Sequence, residues 1–166
     1  MATNLEIKLP VNSFEKIKNI LLKNNAEDKG VLIQKDTYFK YDGGLLKLRN
    51  QNGSFELIKY NRDETGKDRW SNYELLFISG DNVDEYLSDI LIPECVVEKK
   101  RELFLYDNTR IHLDTVKNLG SFLELETLVF DDYEDAKIRF DTVVDLLGLD
   151  ISAQIRLSYR DLILKK

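Results

Sequence analysis

Cysteine, proline and histidine are all scarce in this chain, at one, two and one residue of 166. A lone cysteine, Cys95, excludes an internal disulfide framework and fits a reducing compartment. It has no second cysteine and only one distant histidine, which argues against zinc or nucleophilic chemistry there. No run approaches the roughly 18 consecutive apolar residues of a membrane span. The opening Met1-Ala2-Thr3-Asn4 lacks the basic and apolar regions of a signal peptide. A cytoplasmic protein with no membrane partner is therefore expected. No stretch is rich in glycine or serine, and no repeat or low-complexity segment interrupts the chain. One domain over residues 1–166 is expected, long enough to bury a core unaided. Basic charge is short as well. The 24 Lys and Arg are outnumbered by 30 Asp and Glu, giving a net charge of −6 and a pI near 4.9. That argues against general affinity for nucleic acid, which needs a basic face. An acidic protein can still bind a polyanion if its cations are gathered in one place.

What is present is alternation. Hydrophobic residues make up 43% and charged residues 33% of the chain. A few segments have helical spacing. Asn12 or Ser13 can cap a helix with Phe14, Ile17, Ile20 and Leu21 on one face. A second is expected over 82–91, with Val83, Tyr86, Leu87 and Ile90 aligned, and a third over 133–147 with Gly148 as its C-cap. A short last helix covers 159–164. Most other segments have strand periodicity. Asn4, Glu6 and Lys8 share one face of the first, against Leu5, Ile7 and Leu9 on the other. Lys47 pairs with Arg49, Lys99 with Arg101, and Glu124 with Glu126, while Arg110, His112 and Asp114 form a mixed set.

For any single strand a charged face is ordinarily just solvated. Two features of the whole set point elsewhere. The charges are sorted by strand, into two cationic pairs, one acidic pair and two mixed sets. A flat sheet with three helices on its other face would also leave broad edges unprotected. Closing the sheet removes the edges and turns the charged faces inward. A charged lumen is costly unless it holds something charged. A polyphosphate with metal ions satisfies both signs, with lysine and arginine on phosphate oxygens and carboxylates on hard cations.

Six motifs in order resemble those of the CYTH, or triphosphate tunnel, family. Asn4-Leu5-Glu6-Ile7-Lys8 resembles its opening E-x-E-x-K, and Gln34-Lys35-Asp36-Thr37-Tyr38-Phe39 its Q-x-D-x-Y-F strand. Leu46-Lys47-Leu48-Arg49 resembles L-R-x-R, and Lys99-Lys100-Arg101 resembles K-x-R. His112-Leu113-Asp114 through Gly120-Ser121-Phe122-Leu123-Glu124-Leu125-Glu126 is similar to its L-D-x-x-x-x-L-G-x-F-x-E-x-E. Ser158-Tyr159-Arg160-Asp161-Leu162-Ile163 resembles the terminal S-Y-x-x-L-L of its cyclase-like branch. The resemblance implies an α+β protein: an eight-stranded antiparallel closed β-barrel with helices outside and Mg²⁺ or Mn²⁺ as cofactor. It implies triphosphate binding by Lys8, Lys47, Arg49, Lys99 and Arg101, joined by Arg69, Arg110 and either Lys59 or Arg62, between which strand parity does not decide. Glu6, Glu124 and Glu126 would hold the metal with help from Asn4. Asp114 would join or support them, and Lys8, Arg49 and Asp114 are the candidate catalytic groups.

The departures from the motifs bear on activity. Asn4 stands where the first motif glutamate is expected, and Lys47 replaces an arginine fork with a point charge. Ser71 and Tyr73 fall where two carboxylates are usual, with Glu74 one residue out of step. Cyclase chemistry on ATP, giving cyclic AMP and pyrophosphate, is the leading expectation. Hydrolysis of thiamine triphosphate, a nucleoside triphosphate or tripolyphosphate stands beside it, and so does a binding module without efficient chemistry. The chain is expected to act as a monomer or homodimer. His112 reads as a strand histidine with its hydrogen bonds satisfied, a proton shuttle being the alternative. Tyr38, Tyr60 and Tyr73 read as half-buried strand residues or as the tunnel mouth. Gly43-Gly44 reads as a hairpin turn and not as a phosphate loop, which would open a helix with Gly-Lys-Ser or Gly-Lys-Thr.

Overall fold

The computed structural model describes residues 1–166. Eight strands form one closed antiparallel barrel: β1 (Ala2–Pro10), β2 (Glu27–Phe39), β3 (Leu45–Gln51), β4 (Ser54–Arg62), β5 (Trp70–Ile78), β6 (Pro93–Tyr106), β7 (Thr109–Val116) and β8 (Gly120–Leu128). The spatial order is β1-β5-β4-β3-β2-β6-β7-β8, and β8 returns to β1. β1 is the closing strand. It pairs Asn4 with Ser71 on β5, and Glu6 with Glu126 and Lys8 with Glu124 on β8. Because side chains alternate, one choice of register sends every charged set inward together.

The outward faces are apolar, and the helices cover them. α1 (Glu15–Lys23) and α3 (Tyr133–Leu147) lie over β1, β7 and β8. There Ile17, Leu21, Phe140, Val143 and Leu147 meet Leu5, Ile7, Leu9, Ile111, Leu113, Leu123 and Leu125. α2 (Val83–Ile90) sets Val83 and Leu87 on Phe39 and Leu48. Burying each such side chain contributes roughly 1.5–3 kcal/mol. Local signals fix the ends of the helices. Asp132 accepts from the Glu134 amide at the start of α3, and Gly148 takes the left-handed conformation at its end. α1 departs from expectation. Its N-cap is Phe14, with no side-chain cap, and Ser13 Oγ instead accepts from the Glu15 amide at 3.2 Å.

The last helix, α4 (Tyr159–Leu164), packs against one end of the barrel. A reciprocal capping box between Ser158 and Asp161 starts it. Its Tyr159 and Leu162, with Ile155 before it, pack on Tyr38, Val97, Val116 and Phe122. Those four share strand parity with Asp36, Lys99, Asp114 and Glu124, so they face inward, and the C-terminal segment stoppers one end of the barrel. The other end is rimmed by Leu32, Gln51, Glu56, Leu75 and Leu103, none of them buried. Gly44 follows the turn between β2 and β3 at φ 128°, and a Cβ there would sit 2.6 Å from the Tyr60 carbonyl oxygen, so only glycine fits.

Leu125→Ala removes a fully buried contact between barrel and helices. It should cost about 2–5 kcal/mol in urea unfolding, read as a shift of the midpoint with little change of slope.

Candidate active site

The lumen encloses a cavity of about 250 Å³ lined by 24 residues. Seven are cationic (Lys8, Lys47, Arg49, Arg62, Lys99, Arg101 and Arg110) and four are carboxylates (Glu6, Glu56, Glu124 and Glu126). The two signs are unevenly divided between the walls. β3 and β6 supply Lys47, Arg49, Lys99 and Arg101, while β1 and β8 supply the three glutamates Glu6, Glu124 and Glu126.

The cationic wall is built on Asp36. Its carboxylate, fully buried, accepts from Arg49 Nε and Nη2 at 2.8 Å each and from Lys47 and Lys99 Nζ at 2.9 Å each. Burial alone would raise the Asp36 carboxyl, but Arg49, Lys47 and Lys99 outweigh it and hold it well below the carboxylate range. One negative charge thus anchors three positive ones, and the excess has no partner within the cluster. Burial and the neighbouring Arg49 push Lys47 down to about 7. Burial likewise takes Lys99 to about 8, against the pull of Asp36. Beside this cluster Arg101 grips Asp114 through two bonds of 2.7 and 2.6 Å, and Tyr159 donates to the same carboxylate at 2.8 Å. Lys8 lies 4.1 Å above the Tyr159 ring, donates to the Leu157 carbonyl at 3.3 Å and is 3.7 Å from Glu124.

The acidic wall is less well satisfied. Glu6 lies 2.6 Å from Arg62 and 3.3 Å from Arg69, ion pairs whose angles fall outside hydrogen-bond geometry. Burial pushes the Glu6 carboxyl up, Arg62 opposes the rise, and Glu124 and Glu126 add to it. Buried Asn4 Oδ1, Glu124 Oε2 and His112 Nδ1 have no hydrogen-bond partner. Candidate ligand atoms of His112, Glu124 and Glu126 lie within 4.8 Å of one another. Burial and Arg101 take His112 down to about 4, so its imidazole is neutral at pH 7. The Glu124 and Glu126 carboxylates, one oxygen of Glu124 unsatisfied, with a neutral imidazole beside them, are a donor set that fits a divalent cation.

The fold brings most of the expected residues together and separates a few. Lys8, Lys47, Arg49, Arg62, Lys99, Arg101, Arg110, Asn4, Glu6, Glu124 and Glu126 all line the cavity. Lys59 does not: it points outward, exposed, and pairs with Glu74 at 2.8 Å, so Arg62 is the lumenal cation of β4. The register decides this by placing Lys59 opposite Glu74 and Arg62 opposite Ser71. Ser71 and Tyr73 face the lumen while Glu74 faces out. Arg69 is buried beside Glu6 but is spent on the Ile155 and Arg156 carbonyls at the stoppered end. Asp114, expected among the catalytic or metal-holding groups, sits behind Arg101 and does not line the cavity. Asp36, not singled out as a site residue from the sequence, is the hub of the cationic wall. Its motif position signalled it, but its role depends on three strands meeting. His112, expected to be satisfied, has an unpartnered Nδ1. Tyr38 and Tyr60 are buried near the stopper with hydroxyls 3.3 Å apart, leaving only Tyr73 half-exposed.

A closed antiparallel barrel with a cationic wall facing an acidic one defines a class of protein that holds polyanions inside a sheet. The CYTH domain model matches residues 2–152, and the chain belongs to that family of triphosphate tunnel domains. No curated protein matches it by sequence. Solved structures do. The PH1012 protein of Pyrococcus horikoshii OT3 is 24% identical, with a TM-score of 0.83 over 96% of this chain and 98% of its own. A candidate adenylate cyclase of Vibrio parahaemolyticus is 18% identical, with a TM-score of 0.76 over 97% of each chain. A Hippeastrum protein, described as a candidate adenylyl cyclase with a dominant triphosphatase activity, is 12% identical. Its TM-score is 0.69 over 99% of this chain and 96% of its own. At these identities the likeness is one of fold.

Two outcomes test the cationic wall. Asp36→Asn leaves three buried cations without a counter-charge and should cost about 3–5 kcal/mol in urea unfolding, with tripolyphosphate restoring part of the loss. Below pH 7 both Lys47 and Lys99 are charged, and a bound polyanion finds them ready. Above pH 8 it must draw protons onto them. Tripolyphosphate affinity should therefore fall as pH rises from 7 to 9, by up to about tenfold per unit for each proton taken up. Calorimetry at pH 8 in buffers of different ionisation enthalpy should register that uptake.

Proposed function

We propose that the chain is a metal-dependent enzyme acting on an organic triphosphate held in the lumen, with ATP cyclisation to cyclic AMP and pyrophosphate as its reaction. The observation that carries this reading is the polarity of the lumen. Lys47, Arg49, Lys99 and Arg101 rest on only two carboxylates, Asp36 and Asp114, while unsatisfied acidic groups face them from β1 and β8. Phosphate oxygens fit the first wall, and Mg²⁺ or Mn²⁺ fits the second. Glu6, Glu124 and Glu126, with the Asn4 amide oxygen, would hold the cation, which would supply neutralisation of phosphate charge.

Depth favours cyclisation. With one end stoppered, a triphosphate enters terminal phosphate first and leaves its organic head at the leucine-lined mouth. Side-chain exposure falls inward along β8, from 16% at Glu126 to 8% at Glu124, whose partner in register, Lys8 of β1, is at 2%. Of the acidic groups Glu126 therefore stands nearest the mouth, and a cation held there would sit beside the α-phosphate of such a ligand. Lys8 and the Asp36 cluster would hold the β- and γ-phosphates. The ribose 3′-hydroxyl would attack the α-phosphorus, and the lumenal cations would stabilise the departing pyrophosphate. Hydrolysis is the second reading. It is favoured by three of the five rim residues, Leu32, Leu75 and Leu103, which carry no hydrogen-bonding group that selects adenine.

Purified protein incubated with ATP, thiamine triphosphate or tripolyphosphate, each with Mg²⁺ or Mn²⁺, separates these by product. Cyclic AMP with pyrophosphate is the expected result. Orthophosphate instead establishes the triphosphatase, and tight binding without turnover a binding module. In the same assays Lys8→Ala should weaken triphosphate binding about 10- to 100-fold, the worth of one hydrogen bond to a charged group. Lys59→Ala, on the outer face, should change nothing. Equal effects of the two substitutions would overturn the lumenal site.

A further inference from the structure

His112 is the one lumenal group that neither the phosphate wall nor the carboxylate set explains. It is 3% exposed, and its Nδ1 has no partner. On β6 its neighbour in register is Leu103, which offers no polar side-chain atom, and on β8 its neighbour is Glu124. Cross-strand neighbours stand about 4.5–5.5 Å apart at Cβ, so the pairing itself carries the imidazole to the carboxylate. Glu126 completes the group within 4.8 Å. A histidine buried for packing alone would be expected to bond through its ring nitrogens, because an unsatisfied buried donor or acceptor costs about 1–3 kcal/mol. A metal ion in front of Glu124 would remove that cost.

We infer that His112 is a nitrogen ligand to the lumenal dication, and that it makes the site select Mn²⁺ over Mg²⁺. This rests on the metal-dependent reading of the lumen. Two members of the donor set are not carboxylates. Asn4 supplies an amide oxygen where a carboxylate would add negative charge, and His112 supplies a nitrogen where Mg²⁺ prefers oxygen or its own water. Mg²⁺ gives up its water reluctantly and gains little from imidazole. Mn²⁺ accepts carboxylates as readily, and its place in the transition series lets it gain from nitrogen as well. The cations nearby set the conditions for loading. Glu126 is held by Arg110 at 2.8 Å, and Glu124 by Lys8 at 3.7 Å and Arg101 at 4.0 Å. Arg110, whose side chain is 30% exposed, is the partner that can turn out to the mouth.

His112 is the chain's only histidine, so its ring signals are unambiguous in protein labelled with ¹⁵N-histidine. Titration with diamagnetic Zn²⁺, without substrate, should shift one imidazole nitrogen, and Mn²⁺ should broaden the ring signals. Mn²⁺ affinity is then read from loss of the free-ion electron paramagnetic resonance signal, and Mg²⁺ affinity by competition. His112→Gln should weaken Mn²⁺ by about tenfold or more and leave Mg²⁺ within about threefold. Saturating Mn²⁺ binding that leaves the His112 signals unperturbed overturns the inference. So does an equal loss of both ions in the variant. If the variant does not fold, the spectra of the natural protein decide alone. Absence of any dication binding to the natural protein, with or without tripolyphosphate, overturns the metal-dependent reading itself, a different result from binding without His112.

Discussion

Three cations converge on the single buried carboxylate of Asp36, and their burial inside the barrel depends on that counter-charge. Buried charges cost several kcal/mol each unless paired and hydrogen-bonded. Asp36 partners Lys47 and Arg49 of β3 and Lys99 of β6 while standing on β2 between them. It therefore ties three adjacent strands through side chains as well as through the ladder. Arg101 and Asp114 repeat the device one strand further on, with Tyr159 of the C-terminal helix as a third member. In both clusters the acid lies behind the base. Positive charge is presented to the cavity, and the compensating negative charge stays out of a ligand's reach.

The opposite wall follows the reverse rule, with its acids at the surface of the cavity and their cationic partners beside them. The two walls are a division of labour written in which sign stands in front. Such a lumen is poised and not relaxed. Lysines brought down to about 7 and about 8 gain or lose their protons near neutral pH, so a complementary ion can shift their charge, and the Glu6 carboxyl is pushed up by its burial.

Alternation made the strands, the helices and the inward charged faces legible in the sequence, because period two and period 3.6 leave different marks on apolar residues. Gly148 and the third helix could be placed for the same reason. What stayed hidden depended on register and on contacts between distant segments. Parity could not choose between Lys59 and Arg62, because the choice is made by the pairing of β4 with β5. Asp114 looked like a lumenal acid because it shares a face with Arg110 and His112. Only its grip on Arg101 shows it to be an anchor. Asp36 sat within a recognisable motif, but three partners from 11 to 63 residues away give it its role. His112 looked ordinary because a sequence does not reveal an unpartnered nitrogen.

The C-terminal helix turns a tube into a cup, and a cup has traffic rules. Whatever enters terminal phosphate first must depart in reverse order. On the proposed reaction, the fragment nearest the mouth would leave before the one nearest Tyr159, and the deeper fragment would wait against the cations around it. For a cyclised nucleotide the waiting fragment is pyrophosphate. The catalytic cycle would then be paced by the emptying of the cup, and pyrophosphate would compete with fresh substrate for the same doorway.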